Sequence, residues 1–304
     1  MKRNPVLPLP SPRERFAIGS GSSRALLDCY PVAGADCLLF YPASMSCPCQ
    51  YDIFIAALRQ QGLSVAALHF TGHGSLPHTS DMTFATLLQN ALDAEAFLRS
   101  RGVDRLAACG HSQGAILTLA HAAQSARLAA ALPIAGCYPQ QDDAILLTVF
   151  SRWQAQRPRL QDALRAAARR FPRLPIPLQA YLSLSRILSG SNGMRRRATR
   201  QRCFYPLAFL HSLFAAQVPE RARCPVHMLA AVNDALFTPD IIRNAYARLQ
   251  APRKSLFWLP GGGHLAVLVP RMAFTAARHI ASCCAGAGLR LATRITDSQC
   301  GRTR

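Results

Sequence analysis

Acidic residues are scarce in this sequence. It has 15 Asp and Glu against 35 Lys and Arg, which gives a formal net charge of +20. The basic residues are spread along the chain, and they come without a zinc-finger, RRM or KH signature. Nucleic-acid binding is therefore not favoured. A solvated basic face, an acidic macromolecular partner or an anionic substrate all stay open.

Long apolar runs are also missing. The sequence has no uncharged run of about 18 apolar residues, the length that a membrane-spanning helix needs. The first stretch, "MKRNPVLPLPSPRERF", is interrupted by prolines and lacks the apolar segment of a secretory signal. We therefore expect neither a transmembrane segment nor a signal peptide.

The cysteines lack the paired C-x-x-C spacing that is typical of a zinc site. There are 11 of them, and an odd number argues against a disulfide framework. We interpret Cys47 and Cys49 as surface-loop residues and Cys109 as a packing residue. The sequence thus predicts no metal site and a reducing, cytoplasmic location.

Short apolar runs alternate with helix-period segments from about residue 16 onwards. This alternation predicts an α/β protein with a mostly parallel sheet and helices between its strands. The predicted strands are 16–19, 24–32, 36–41, 64–70, 104–110, 129–136, 225–232 and 254–259. The predicted core helices are 51–61, 84–101, 113–127, 239–250 and 265–283.

The alternation breaks between residues 138 and 223, where no strand-like run occurs. Prolines punctuate this region, which indicates several short helices. The predicted helices there are 142–156, 159–171, 178–189 and 204–216. The predicted division is a disordered segment at 1–15, a core at 16–137 and 216–284, an all-helical cap at 138–215 and a flexible basic tail at 285–304.

The stretch "GHSQG" places Ser112 between Gly110 and Gly114, in the pattern G-x-S-x-G. An apolar run precedes it and a helix-period segment follows it. A serine at a tight strand-to-helix turn is exposed as a nucleophile, and a side chain two residues before or after it would collide with the neighbouring elements. The motif therefore predicts that Ser112 is a nucleophile, whereas His111 packs beside it.

A serine nucleophile needs a histidine base and a carboxylate that orients this base. His264 follows the last predicted strand in "LPGGGHLAVL", and Asp234 follows the preceding strand in "VNDALFTPD". We prefer Asp234 to Asp240, which looks like a helix cap. Asp142 or Asp143 is a remote substitute for the acid.

These motifs, together with the glycine turn "TGHGSLP" at 71–77, resemble those of the α/β-hydrolase superfamily, in the branch of monoglyceride-lipase-like and S33-like serine hydrolases. The resemblance covers about residues 24–282. It implies an eight-stranded α/β-hydrolase fold with helices on both faces of the sheet. The glycine turn lacks the aspartate that precedes it in the family, so we assign His73 a structural role.

The oxyanion hole of such an enzyme needs two backbone N–H donors. The N–H of Gln113, directly after Ser112, is predicted to be one of them. The other comes from the loop "YPASM", which stands where the family often shows His-Gly. Pro42 has no N–H, so Ala43 is the predicted donor and Ser44 the alternative.

The sequence thus predicts a serine hydrolase that cleaves a carboxylic ester of an apolar acyl group and needs neither cofactor nor metal. A thioesterase acting on acyl-CoA or an acyl carrier protein is the alternative, because the cap arginines suit a phosphate-bearing thioester. A non-catalytic binding protein on this fold is a third reading. The candidate acyl-pocket residues are Leu146, Leu147, Phe150, Trp153, Leu182, Phe204, Phe209 and Phe214.

Overall fold

Eight strands form one sheet in the computed structural model, which describes residues 14–73, 76, 82–189 and 204–293. All eight lie within two residues of their predicted bounds, and the central ones are the short, continuously buried runs that a parallel sheet requires. The strands are β1 (Glu14–Ile18), β2 (Ala25–Tyr30), β3 (Cys37–Tyr41), β4 (Ser64–His69), β5 (Leu106–His111), β6 (Ala130–Ile134), β9 (Val226–Ala231) and β10 (Lys254–Leu259).

The strand order is β1-β2-β4-β3-β5-β6-β9-β10. The pairs β1–β2 and β2–β4 are antiparallel, and all later pairs are parallel. The predicted mostly parallel, eight-stranded sheet is therefore confirmed. Parallel strands share one carboxyl edge, and β3, β5, β9 and β10 each deliver a loop to that edge.

Helices cover both faces of this sheet. Along β3, Leu39 and Tyr41 pack into one hydrophobic core, whereas Leu38 and Phe40 pack into the other. The helices are α1 (Asp52–Gln60), α2 (Phe84–Ser100), α3 (Gln113–Gln124), α7 (Pro239–Arg248) and α8 (Pro270–Gly286). The first core includes α2, α3 and α7, and the second includes α1 and α8.

The insert between β6 and β9 is not all-helical, contrary to the prediction. It contains a two-stranded antiparallel sheet, and the predicted helix 142–156 is split into two 3₁₀ turns. Strands of three residues that contain proline give no periodic signal. The insert consists of 3₁₀ turns at 142–147, 151–156 and 178–180, with α4 (Arg157–Arg170), β7 (Pro175–Pro177), α5 (Leu184–Leu188), β8 (Phe204–Pro206) and α6 (Leu207–Phe214).

Two cysteines differ from their interpretation as loop thiols. Cys47 is buried, and it forms a disulfide with Cys49. The 3₁₀ turn Pro48–Tyr51 brings their Cα atoms to 5.4 Å, which a disulfide can span. The other seven cysteines that the structure describes are free thiols.

Both chain ends are more ordered than predicted wherever the structure describes them. Strand β1 begins at Glu14, inside the segment predicted to be disordered. At the other end, α8 continues to Gly286 and Leu289 is only 4% exposed. The carboxylate of Asp36 accepts hydrogen bonds from the backbone N–H (2.7 Å) and the guanidinium (3.1 Å) of Arg290. The segment around Leu289 and Arg290 is therefore docked on the core.

Within the described residues, no helix is long and apolar enough to cross a membrane. In the same part of the chain, no group of three or more His, Cys, Asp or Glu side chains is arranged to hold a metal ion.

The docked C-terminal segment predicts a stability effect. Replacing Leu289 with alanine should lower the free energy of unfolding by about 2–3 kcal/mol, because a buried leucine is truncated. Leu291→Ala is the matched control, and it should lower the free energy of unfolding by less, because Leu291 is only half-buried. Urea unfolding measures both values, and a Leu289→Ala variant as stable as the wild type would mean that the segment is frayed.

Candidate active site

Ser112 stands at the turn between β5 and α3. Its backbone has φ 58° and ψ −117°, a strained conformation that non-glycine residues rarely adopt. A Cβ at Gly110 would clash with the carbonyl oxygen of Gly114, and a Cβ at Gly114 would clash with that of Tyr41. Glycine at position 110 therefore lets β5 and α3 approach closely, and glycine at position 114 lets α3 approach the end of β3.

His264 lies beside Ser112, although 152 residues separate them in the sequence. Its Nε2 atom is 3.0 Å from the Ser112 hydroxyl oxygen. The loop after β10 reaches this point through Gly262 and Gly263, which both have positive φ angles. The Gly263 N–H donates to the side-chain oxygen of Asn233 at 3.0 Å, which ties this loop to the one after β9.

Asp234 lies on the far side of His264. Its Oδ2 atom is 3.0 Å from His264 Nδ1, and its Oδ1 atom accepts the N–H groups of Leu236 (2.8 Å) and Phe237 (2.9 Å). These bonds fix the carboxylate, which is 2% exposed. The Phe237 ring is stacked on the His264 ring, with centroids 5.3 Å apart. The imidazole is thus held between a carboxylate and the serine.

The other acidic candidates lie elsewhere. Asp240 is exposed and pairs with Arg243 at 2.9 Å. It is not the helix cap either, because Thr238 occupies the N-cap position of α7. Asp142 and Asp143 lie in a 3₁₀ turn of the insert, where Asp143 accepts hydrogen bonds from Gln141 and Asn244.

The loop after β3 differs from the prediction at Ala43. The Ala43 N–H already donates to the buried Tyr51 hydroxyl at 3.0 Å, so it is not available to an oxyanion. The Ser44 N–H has no acceptor among the described residues, and Ser44 lines the cavity beside Ser112 and Gln113. The Gln113 N–H begins α3, where helical N–H groups lack an intrahelical acceptor. Ser44 therefore replaces Ala43 as the candidate second donor.

His111 makes contacts that the sequence did not reveal. Its Nε2–H donates to the carbonyl oxygen of His264 at 2.8 Å, and its Nδ1 accepts from the Tyr51 hydroxyl at 2.9 Å. Burial and the neighbouring His264 lower the pKa of His111 to about 3. A neutral His111 thus connects the loops that carry Ala43 and His264. In the sequence, only the position of His111 directly before Ser112 pointed to a place in the site.

A narrow, mostly apolar cavity opens beside Ser112. Of the candidate pocket residues, Leu147, Leu182 and Phe214 line it. Phe150, Trp153 and Phe204 are instead 37–39% exposed, and Phe209 is buried in the core. Further lining residues are Ile116, Cys137, Tyr181, Leu213, Leu236 and Phe237. Burial raises the pKa of the Cys137 thiol, so this residue contributes an apolar wall.

A serine at a strained turn between a strand and a helix of an eight-stranded, mostly parallel sheet is the arrangement of α/β hydrolases. The sequence profile of the alpha/beta hydrolase family matches residues 37–278. The chain therefore belongs to the alpha/beta hydrolase family, and the predictions of this fold and of a hydrolytic enzyme are confirmed. No protein with a curated description matches the chain.

Solved structures share the fold at low sequence identity. A monoacylglycerol lipase from Paleococcus ferrophilus is 15% identical, with a TM-score of 0.64 over 90% of this chain and 99% of the other. A monoglyceride lipase from Saccharomyces cerevisiae is 13% identical, with a TM-score of 0.66 over 92% and 95%. A thioesterase domain from the curacin biosynthetic pathway is 16% identical, with a TM-score of 0.52 over 89% and 98%.

The two aspartates allow a direct comparison. Asp234→Asn should reduce kcat on the order of 10⁴-fold, because an amide holds the wrong imidazole tautomer. Asp240→Asn should leave kcat unchanged and cost little stability, since its ion pair with Arg243 is exposed. Steady-state rates of both variants measure the difference, and a larger loss for Asp240→Asn would contradict the assignment of the acid.

Proposed function

We propose that the protein hydrolyses carboxylic esters of apolar acyl groups through a covalent acyl-enzyme. The observation that carries this proposal is the hydrogen-bonded series from Asp234 through His264 to Ser112, with both distances at 3.0 Å. This order supports the proposal, because acyl transfer requires a nucleophile, a base and an orienting carboxylate in such a series.

In the proposed reaction, the Ser112 hydroxyl oxygen attacks the ester carbonyl carbon while His264 Nε2 takes its proton. Asp234 stabilises the imidazolium that forms. The N–H groups of Gln113 and Ser44 hold the oxyanion of the tetrahedral intermediate. This intermediate then collapses, and the leaving alcohol takes the proton from His264. A water molecule then attacks the acyl carbonyl carbon while His264 Nε2 takes its proton, and the second tetrahedral intermediate collapses to the free carboxylic acid as His264 returns the proton to the Ser112 oxygen.

The lining of the cavity supports an apolar acyl group. Side chains from the insert and from the core form its wall, and within the described residues no charged side chain lines it. Burial of each methylene in such a pocket favours binding by about 0.8 kcal/mol. The esters that the lipase neighbours' names indicate are consistent with this substrate class, although these neighbours share only the fold.

A thioester substrate is the second candidate. The outer face of α4 and the residues after it carry exposed arginines, including Arg165, Arg169 and Arg173. An acidic acyl carrier protein could dock on this basic face while its prosthetic arm reaches the cavity. The two candidates are separated by comparing kcat/KM for an acyl-CoA with kcat/KM for the nitrophenyl ester of the same acyl group. The substrate with the higher value indicates whether the enzyme is a thioesterase or a carboxylesterase. A cytoplasmic location remains part of the proposal: the seven free thiols of the described residues favour it, whereas the Cys47–Cys49 disulfide does not.

The nucleophile is tested by Ser112→Ala, which should lower kcat for nitrophenyl esters by about 10⁴–10⁶-fold. The variant should fold like the wild type, because it loses only a hydroxyl that contacts His264. Initial rates and the thermal unfolding temperature are the measurements. Activity within tenfold of the wild type would mean that Ser112 is not the nucleophile.

The cavity residues predict changes in chain-length preference. Leu182→Trp should fill the cavity and reduce kcat/KM for long acyl chains more than for short ones, whereas Phe214→Ala should favour long chains. Each methylene that the pocket gains or loses room for changes the discrimination between acyl-chain lengths by about 1–3 kcal/mol. Phe150→Ala is the control, because Phe150 is exposed and does not line the cavity. An equal effect on all chain lengths would contradict the assignment of the acyl pocket.

A further inference from the structure

Tyr205 belongs to β8 of the insert, yet its hydroxyl reaches the loops of the active site. The side chain is completely buried, and its ring packs on Phe209 and His73 with centroids 4.4 and 5.3 Å away. The hydroxyl oxygen accepts the backbone N–H of Met45 at 2.7 Å. Met45 lies in the loop after β3, which also contains Ser44.

His73 orients this hydroxyl. Its Nδ1 atom lies 3.0 Å from the Thr71 carbonyl oxygen, which can only accept, so Nδ1 carries the ring hydrogen. In the neutral ring Nε2 is then an acceptor, and it lies 2.6 Å from the Tyr205 hydroxyl. The single hydroxyl hydrogen of Tyr205 therefore faces two acceptors, His73 Nε2 and the Gln113 side-chain oxygen, and the hydroxyl oxygen accepts the Met45 N–H. Burial also raises the pKa of Tyr205, so the phenol keeps its proton.

Met45 is strained. Its φ angle is 57°, and it occupies the third position of a turn that the Ser46 N–H closes on the Ala43 carbonyl at 3.1 Å. Among the described non-glycine residues, only Ser112 and Ala135 share a positive φ. A negative φ at Ser44 followed by a positive φ at Met45 is the pattern of a type II turn, in which the central peptide is inverted relative to a type I turn. The inverted peptide presents its N–H to Tyr205.

We propose that Tyr205 is a positioning residue for the oxyanion hole, in which its hydroxyl holds the 43–46 turn so that the Ser44 N–H faces Ser112. This inference rests on the proposed function. Without the hydroxyl, the buried Met45 N–H loses its acceptor and the turn relaxes towards negative φ. The insert thus contributes to stabilisation of the transition state in addition to lining the acyl cavity.

Gln113 connects the same hydroxyl to the other oxyanion donor. Its side-chain oxygen accepts the Ser44 hydroxyl at 2.8 Å and lies 3.1 Å from the Tyr205 oxygen. Both residues whose N–H groups would hold the oxyanion are therefore within one buried hydrogen-bond network with Tyr205. The network joins β8, the loop after β3 and the start of α3.

The test compares two reversible inhibitors that share one acyl chain. A trifluoromethyl ketone forms a tetrahedral adduct with Ser112 and places an oxyanion in the hole, whereas the ether analogue of the ester has no carbonyl oxygen. Tyr205→Phe should weaken binding of the ketone and lower kcat, each on the order of 10–100-fold. This is part of the loss in kcat that removal of an oxyanion donor causes. The Ki of the ether and the KM should stay within about threefold, because these report ground-state binding.

Tyr138→Phe is the matched control. Tyr138 is also completely buried, but its hydroxyl has no hydrogen-bond partner among the described residues. It does not line the cavity, and its substitution should leave kcat and both inhibitors unchanged. Thermal unfolding of the two phenylalanine variants shows whether either change disturbs the fold.

A double-mutant cycle tests the route through Ser44. Proline is favoured at the second position of a type II turn, so Ser44→Pro keeps the turn and deletes the N–H, and Ser44→Ala controls for the lost hydroxyl. Ser44→Pro should bind the ketone on the order of 10²-fold more weakly than Ser44→Ala does. Adding Tyr205→Phe to Ser44→Pro should then have no further effect, because the donor that Tyr205 positions is already absent.

The outcomes separate this inference from the proposed function. A wild type that neither hydrolyses esters nor binds the ketone would overturn both. If the wild type does both, three results would overturn the positioning role alone. They are an unchanged Ki of the ketone in Tyr205→Phe, an equal loss of affinity for ketone and ether in that variant, and additive effects of the two substitutions on ketone affinity in the cycle. Should Tyr205→Phe not fold, equal ketone affinity in Ser44→Pro and Ser44→Ala would still overturn it.

Discussion

The close approach of β5 to α3 at Ser112 is the constraint on which the rest of the site depends. The backbone of this turn is strained at Ser112, glycine at position 110 is needed for the approach of β5 to α3, and glycine at position 114 is needed for the approach of α3 to the end of β3. Ser112 N–H donates to the Ile134 carbonyl at 2.9 Å, which holds the turn against β6. Helices cover both faces of the surrounding sheet, and the packing of these layers offsets the free-energy cost of the strained turn.

This turn places three groups at the carboxyl edge of the sheet. The serine hydroxyl projects towards His264 in the loop that follows β10, the Gln113 N–H at the start of α3 has no acceptor among the described residues, and the loop after β3 comes alongside. Hydrogen bonds tie these loops to one another, as those of His111 and Tyr51 illustrate. The site is thus preorganised by backbone and buried side chains, which is what electrostatic stabilisation of an oxyanion requires.

The sequence predicted the sheet and the three residues of the series because their signals are local. Buried strands are continuous apolar runs, and Ser112, Asp234 and His264 each follow one of them. Ala43 was preferred to Ser44 because the sequence does not reveal that the Tyr51 hydroxyl accepts its N–H. The contact of Tyr205 with Met45, 160 residues apart, and that of Arg290 with Asp36, 254 residues apart, depend on packing between distant segments, which no local pattern encodes.

The central claim is that hydrolysis passes through an acyl group on Ser112. Rapid mixing of the protein with a nitrophenyl ester, followed by quenching and peptide mass analysis, tests it most directly. The account predicts a burst of nitrophenol no larger than the enzyme concentration and an acyl adduct on the peptide that contains Ser112. Turnover without any adduct on that peptide, or an adduct on another residue that forms and decays at the rate of turnover, would contradict it.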